Sequence, residues 1–251
     1  MIDDETLAAL PAPLGNQCRS LIQAAEKIRR AAGSDADRVQ LEAQQVRVAQ
    51  ALATNEGRLI PEVEFTRNPL VSNSTSEHQV RRGQDDGRAI KRTNSGFFGQ
   101  VPFINQQGIV DRRAALPSEY LDRTALQLAV FGGDIEFKGV SIVAGPSFVL
   151  GQSGDQPAFI ISQLWYEKAR EVRAEEVDEL MRDQGFVPVK NGYYAWYRPA
   201  DRVLVTDART DNFIATEDGV IPIDLQLTLL SPEEAAKGGL PQPPNNLNIH
   251  P

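Results

Sequence analysis

Val203 to Asp224 reads VLVTDARTDNFIATEDGVIPID, and the reading of the whole chain turns on it. An apolar run, Val203-Leu204-Val205, ends at Thr206-Asp207. Asn212 follows Asp207 by five positions. Two short β-type runs come next, Phe213 to Thr216 and Val220 to Ile223, with Glu217-Asp218-Gly219 between them as a hairpin turn. Asp224 closes the second run. A strand, a polar loop, a hairpin and a terminal carboxylate thus present three oxygen-donor side chains in a fixed order. That order suits phosphates and a hard divalent cation, which takes oxygen ligands. The plainer alternative is a surface β-meander with polar ends.

Working outward, strand chemistry begins at Glu77-His78-Gln79-Val80-Arg81-Arg82. Gly83 to Gly87 is the turn, and Arg88-Ala89-Ile90-Lys91-Arg92-Thr93 returns. Lys91 is a candidate phosphate-gripping lysine; the plainer reading is a surface lysine on an edge strand. Gly96-Phe97-Phe98-Gly99 reads as an aromatic turn and Pro102 to Gly108 as loop. Pro117 starts a helix whose stripe is Leu121, Thr124, Ala125, Leu128 and Phe131, stopped by Gly132-Gly133-Asp134. Glu119 is the one glutamate on it, nearly opposite the apolar stripe, where the helix dipole favours it.

Strands are expected over Glu136–Val143, Ser147–Leu150 and Pro157–Trp165. Residues 174–184 are expected as a helix with Val177, Leu180 and Met181 inward. Val187–Lys190 and Tyr193–Tyr197 flank Asn191-Gly192, a hairpin signal. The aromatics Tyr193, Tyr194, Trp196 and Tyr197 suit base stacking, but their β-type context favours core and cross-strand packing. After Leu230 the composition predicts a flexible tail.

The first 60 residues read as a helical hairpin. Asn16 caps a helix carrying Cys18, Leu21, Ile22, Ala25, Ile28 and Ala32 on one face, ended by Gly33. Ser34 caps a second, to about Thr54, with Val39, Ala43, Val46, Ala49 and Ala53 as its stripe. A packing element on the main domain is the simpler role, a partner-binding arm the sharper one. A chain of 251 residues makes one large domain or two small ones. It has no apolar run long enough to span a membrane. Its acidic N-terminus argues against a secretory signal and for a cytoplasmic protein. One cysteine and two well-separated histidines argue against an internal disulfide, a cysteine–zinc site or a histidine triad. The net charge of −8 argues against a general nucleic-acid coat.

Taken together, several of these segments resemble, in order, the kinase-like domain of polyvalent proteins from phages and mobile elements. Glu77-His78-x-Val80 and Gly87-Arg88-Ala89-Ile90-Lys91-Arg92-Thr93-x-x-Gly96-Phe97-Phe98-Gly99 open the resemblance. Glu119-Tyr120-Leu121, Phe131-Gly132, Ile161-Ser162-Gln163, Gly185-Phe186 and Asp207-Ala208-Arg209-x-x-Asn212 continue it, over roughly residues 60–230. It implies an α+β, compact, protein-kinase-like bilobal fold behind an N-terminal helical hairpin. The expected segments are 1–60 (helical), 61–157 (N-lobe), 158–230 (hinge and truncated C-lobe) and 231–251 (tail). It further implies an ATP-type site between the lobes. Lys91 would contact phosphates, paired with Glu77 or Glu119. Ser162, Gln163 and Leu164 would form the adenine-binding hinge. Asp207 would act as the base-like catalytic residue, and Asn212 and Asp224 would hold Mg²⁺.

The chain departs from that pattern in four places. The glycine loop is missing, and Ser72-Asn73-Ser74-Thr75 stands in its region. Val205-Thr206 precedes Asp207 in place of His-Arg, and Leu225-Gln226 follows Asp224 in place of Phe-Gly. Only 27 residues follow Asp224, too few for a peptide-seating lobe. The expected activity is therefore ATP/Mg-dependent phosphoryl transfer to an unknown acceptor, small-molecule or unusual. The alternative is an inactive nucleotide- or partner-binding scaffold of a phage or mobile element.

Overall fold

The computed structural model describes residues 7–8, 10, 12–33, 37–73, 77–84, 87–146 and 153–242. The fold is mixed α+β, built from antiparallel sheets and, among the described residues, six α-helices longer than one turn. No described helix is long and apolar enough to cross a membrane. The chain divides into two compact units. The first takes the residues up to Gln100 together with Ala114–Trp165; the second takes Val101–Arg113 together with Tyr166 onward. The expected boundary at 157/158 falls inside the strand Ser153–Leu164. The change of unit comes instead at Trp165/Tyr166.

The first unit carries α1 (Ala12–Ala32), α2 (Arg38–Asn55) and the short α3 (Glu62–Thr66). Its strands are β1 (Leu70–Asn73), β2 (His78–Arg82) and β3 (Arg88–Thr93). Helix α4 (Pro117–Phe131) and the strands β6 (Ile135–Pro146) and β7 (Ser153–Leu164) complete it. The five strands pair in the order β1-β2-β3-β7-β6, antiparallel throughout. The expected strand at 147–150 lies outside the described residues.

All six apolar residues expected on α1 are buried. Cys18 is among them; its Sγ lies 3.6 Å from the Ala125 carbonyl of α4, and burial pushes its thiol up to about 11. The helix begins at Ala12, ahead of Asn16, whose side chain accepts from Arg19. The expected cap Ser34 lies outside the described residues. Asp37 caps α2 by accepting from the Gln40 N–H at 2.9 Å. Val46, Ala49 and Ala53 of the expected stripe are buried; its N-terminal end differs, with Ala43 half-buried and polar residues taking up the face. Val39 is exposed, and Glu42, Gln45, Val46, Ala49 and Ala53 are buried. The reason is polar: Gln45 Oε1 accepts from the Ser118 N–H, an otherwise orphan donor at the start of α4. Behind α2, the chain is stitched to the sheet. Val140 N–H donates to the Arg58 carbonyl and Ile60 N–H to the Val140 carbonyl. Gly139 permits this approach, since a Cβ there would lie 2.2 Å from the Arg58 oxygen.

Phe159 of β7 anchors the core of this unit. It packs against Phe98, Tyr120 and Phe137 at ring separations of 4.8, 5.9 and 5.5 Å. Helix α4 lies over that face and is buried nearly all round.

The second unit contains the hairpin β4 (Gln100–Ile104) and β5 (Val110–Ala114), α5 (Ala174–Asp183), β8 (Val187–Pro188), β9 (Trp196–Arg198) and β10 (Val203–Thr206). It continues through β11 (Phe213–Ala215), β12 (Val220–Pro222), β13 (Gln226–Leu229) and α6 (Pro232–Lys237). Segment 102–108, expected as loop, is half strand: β4 runs to Ile104 before its turn. A four-stranded sheet runs β13-β10-β9-β8. Residues after Leu230, expected as tail, are packed as far as Leu240. Leu230, Ala235 and Leu240 are buried against Ile104, Tyr197 and Leu204. The α6 turn is capped by Ser231, which accepts from the Glu234 N–H. A handful of apolar residues at suitable spacing suffices to close this small core, whatever the prolines and glycines around them suggest.

Candidate functional site

Strand β10 is the reason the loop after it is ordered. All four of its residues are buried, and it is paired on both sides, to β9 and to β13. The chain leaves it at Asp207 with φ +61°, a left-handed conformation that Asp tolerates better than most residues. A 3₁₀ turn over Thr210–Asn212 follows. Asn212 then locks the loop. Its Nδ2 donates to the Asp207 carbonyl at 2.7 Å and to Asp207 Oδ2 at 3.0 Å. Its own carbonyl accepts from the Ile223 N–H, tying the loop to the far end of the hairpin.

The β11–β12 hairpin has the expected turn, with Thr216 N–H bonded to the Gly219 carbonyl. The chain then passes half-buried Asp224 and enters β13, where Gln226 pairs with Thr206. Asp207 follows Thr206 and Asp224 precedes Gln226. Both carboxylates therefore stand at the same end of the β10–β13 ladder. Asp207 Oδ1 faces two guanidinium groups. Arg209 Nε is at 3.0 Å and Arg112, from β5, at 3.8 Å. Arg209 stands inside the quoted Asp207-Ala208-Arg209-x-x-Asn212 segment, though without a role assigned to it; Arg112 carries no spacing signal that would have nominated it from sequence. Neighbouring Ala208 N–H donates to the Tyr194 carbonyl. Tyr194 itself has φ +53°. Its hydroxyl titrates above the usual phenol range, first through the Tyr193 hydroxyl bonded to it, with Arg209 and Asp211 acting in opposite senses.

The aromatic group before this loop splits in two. Trp196 and Tyr197 are core residues, as the β-context predicted. Tyr193 and Tyr194 are exposed, because the connection between β8 and β9 spans residues 189–195 and carries both outside the ladder.

In the first unit, Lys91 occupies the middle strand β3, opposite Val80 on one side and Ile161 on the other. Directly opposed residues share a face, so Lys91 shares one with Ile161 and, two positions along β7, with Phe159. This is the face that α4 covers. Lys91 is 5% exposed; it is no surface lysine on an edge strand. The glutamates expected beside it have other engagements. Glu77 forms a buried ion pair with Arg123 of α4, which also donates to the Gln100 carbonyl. Glu119 accepts from the Leu116 N–H at the helix start and pairs with Arg38 of α2. Its position in the first turn makes it a cap.

The expected hinge also moves. Ser162 and Gln163 lie inside β7, paired with β3 on one side and β6 on the other. Ser162 accepts from Arg88 through both its hydroxyl and its carbonyl. Only Leu164, paired to Arg88 alone and 40% exposed, stands at the edge of the ladder. The chain becomes irregular from Trp165 to Ala169. The apolar run 158–161 extends further as strand than its polar end suggested, because both neighbours continue to pair with it.

Comparison of the chain with protein-family models, with curated proteins and with solved structures returns no match.

Proposed function

We propose that the protein is an ATP/Mg-dependent phosphotransferase of kinase-like fold, its two units being the two lobes. The observation that carries this reading is the Asp207–Asn212 lock, with Asp224 delivered by a hairpin to the same sheet end. A phosphotransfer site needs little covalent chemistry from the protein. It needs a positioned acceptor hydroxyl and charge neutralisation at the phosphates. The order β1-β2-β3-β7-β6, with Lys91 on the third strand and a helix after it, agrees with the reading.

The donor set fits Mg²⁺. Asn212 spends its Nδ2 on Asp207, which leaves Oδ1 as the amide's ligand atom, and Asp224 contributes a carboxylate; both are oxygen donors of the kind the ion takes. Mg²⁺ bound there would neutralise charge on the phosphate oxygens. Asp207 Oδ2 takes the Asn212 amide, and Oδ1 faces Arg209 at 3.0 Å and Arg112 at 3.8 Å; a carboxylate has about four acceptor positions, so room remains for an acceptor hydroxyl. In the step itself the acceptor oxygen bonds to the γ-phosphorus as the bond to the bridging oxygen breaks. ADP leaves, and the hydroxyl proton passes to Asp207.

A catalytically inactive scaffold is the second reading. Residues 70–80 contain no glycine, and two arginines already face Asp207. Calorimetric titration with ATP, with and without Mg²⁺, separates the cases when paired with a turnover assay. Asp224→Asn weakens Mg-ATP by about tenfold or more, since a metal-bridging carboxylate acts in the ground state. Asp207→Asn spares ATP affinity and lowers kcat. Wild type that binds no Mg-ATP at millimolar concentration ends the nucleotide reading. Binding in all three without turnover in any leaves the scaffold.

A further inference from the structure

Three residues other than glycine have positive φ: Tyr194, Arg202 and Asp207, among the described residues. Tyr194 is tied to the residue after Asp207 by a hydrogen bond, its carbonyl accepting from the Ala208 N–H at 3.2 Å. Left-handed backbone is costly for an aromatic residue and persists where the surroundings enforce it, most often at functional sites. Here the cost holds a tyrosine against the loop of Asp207. The ring it holds is not core. Tyr193 is 84% and Tyr194 43% exposed. Their rings lie 4.2 Å apart at 60°, with hydroxyls 3.4 Å apart. Large aromatic rings left in water next to each other form an open corner with one broad face. Arg112 and Arg209, each about half exposed, supply positive charge at the neighbouring Asp207. Arg209 is shared with Asp211, whereas Arg112 stands farther from Asp207, its Nη1 at 3.8 Å from Oδ1.

We propose that Tyr193 and Tyr194 form the acceptor platform of this site, and that the acceptor is a nucleoside 5′-monophosphate. The base stacks on the tyrosine corner, the phosphate meets Arg112, and a ribose hydroxyl is brought to Asp207. A flat base is what an exposed aromatic face recognises, whatever its sequence of donors and acceptors. A planar guanidinium recognises the phosphate. The platform rests on the phosphotransfer reading for its role, but its binding is measurable without it.

The test is calorimetric titration of AMP, GMP, CMP and UMP, each alone and again with a saturating non-hydrolysable Mg-ATP analogue. Ribose 5-phosphate is the control that lacks a base. Tyr193→Ala removes a ring that is almost wholly in solvent. Tyr194→Gly removes the other and leaves a residue suited to φ +53°, so both variants fold. Tyr193→Phe keeps the stacking face. At least one monophosphate binds wild type, with and without the analogue. Its affinity falls by about tenfold or more in Tyr193→Ala and Tyr194→Gly and is kept in Tyr193→Phe. The proposal is overturned if no monophosphate binds better than ribose 5-phosphate, or if both ring deletions bind like wild type. It is overturned equally if the analogue displaces every monophosphate, which places them in the ATP site. Tyrosine-dependent binding in a protein that does not bind Mg-ATP would sink the phosphotransfer reading and leave the platform. Mg-ATP binding without it would do the reverse.

Discussion

Glu42 offers the sharpest test of how the helical hairpin is held. It lies on the buried face of α2, 5% exposed, and its Oε1 has no hydrogen-bond partner. Burial raises its pKa to about 7 from 4.5; Arg38 opposes the rise and Glu119 of α4 adds to it. A raised pKa means that the folded state holds a proton the unfolded chain has released. Glu42 therefore costs nothing below about pH 4.5. Its cost grows between pH 4.5 and pH 7 and is complete above that. The shift corresponds to about 3 kcal/mol, and relaxation around the charge lowers this to roughly 2 kcal/mol. Glu42→Gln keeps the shape and removes the titration. It should be near neutral at pH 4.5 and stabilise the first unit by roughly 2 kcal/mol at pH 8. Asp122, whose pKa is also raised by burial against the pull of Arg29, titrates in both proteins, so its contribution largely cancels in the difference. Urea denaturation of wild type and variant across this pH range, followed by hydrogen exchange in α2 and α4, gives the comparison. A stability difference that does not change with pH would refute the reasoning, since a buried ionised carboxylate cannot have a pH-independent cost.

Two further predictions concern packing. Gly99 has φ +74°, and a Cβ there would fall 2.0 Å from the Glu77 carboxyl carbon; Gly99→Ala should displace the Glu77–Arg123 pair and cost about 3 kcal/mol or more, read as a lowered thermal midpoint. An unchanged midpoint would mean that this buried pair has room to move. Leu240→Ala should cost about 2–3 kcal/mol in urea denaturation by opening the core with Ile104, Leu204 and Leu230, whereas a true tail residue would cost nothing.

Most of the first unit was legible because its signals are local and periodic. Six apolar positions on α1 define one stripe, and the turn from β2 to β3 is punctuated by glycines at both ends. Where the reading slipped, a polar residue had been taken as a mark of the surface. Glu42 and Gln45 are buried on α2, and Ser162 and Gln163 are buried in β7, placements that periodicity does not carry. Gln45 serves the start of α4, and Ser162 serves Arg88. Leu240 shows the converse. Composition marks its neighbourhood as unstructured, yet one leucine in reach of a small core is enough to order the segment.

The loop at Asp207 was legible as a spacing but not as a conformation. Asp207 and Asn212 five residues apart announce that something polar is being arranged, and Asp at a left-handed position is unremarkable. The informative strain is at Tyr194, a residue whose type predicts core packing and whose backbone contradicts it. No local rule turns a tyrosine outward at positive φ. A bond to a residue some distance along the chain ties it there, the Ala208 N–H donating to its carbonyl. A β-rich segment with four aromatics had one apparent role, yet Trp196 and Tyr197 fill the sheet core while Tyr193 and Tyr194 are spared from it. The division follows from loop length. A two-residue turn at Asn191-Gly192 would have placed all four in the ladder, whereas the longer connection frees two rings beside a carboxylate that two arginines face.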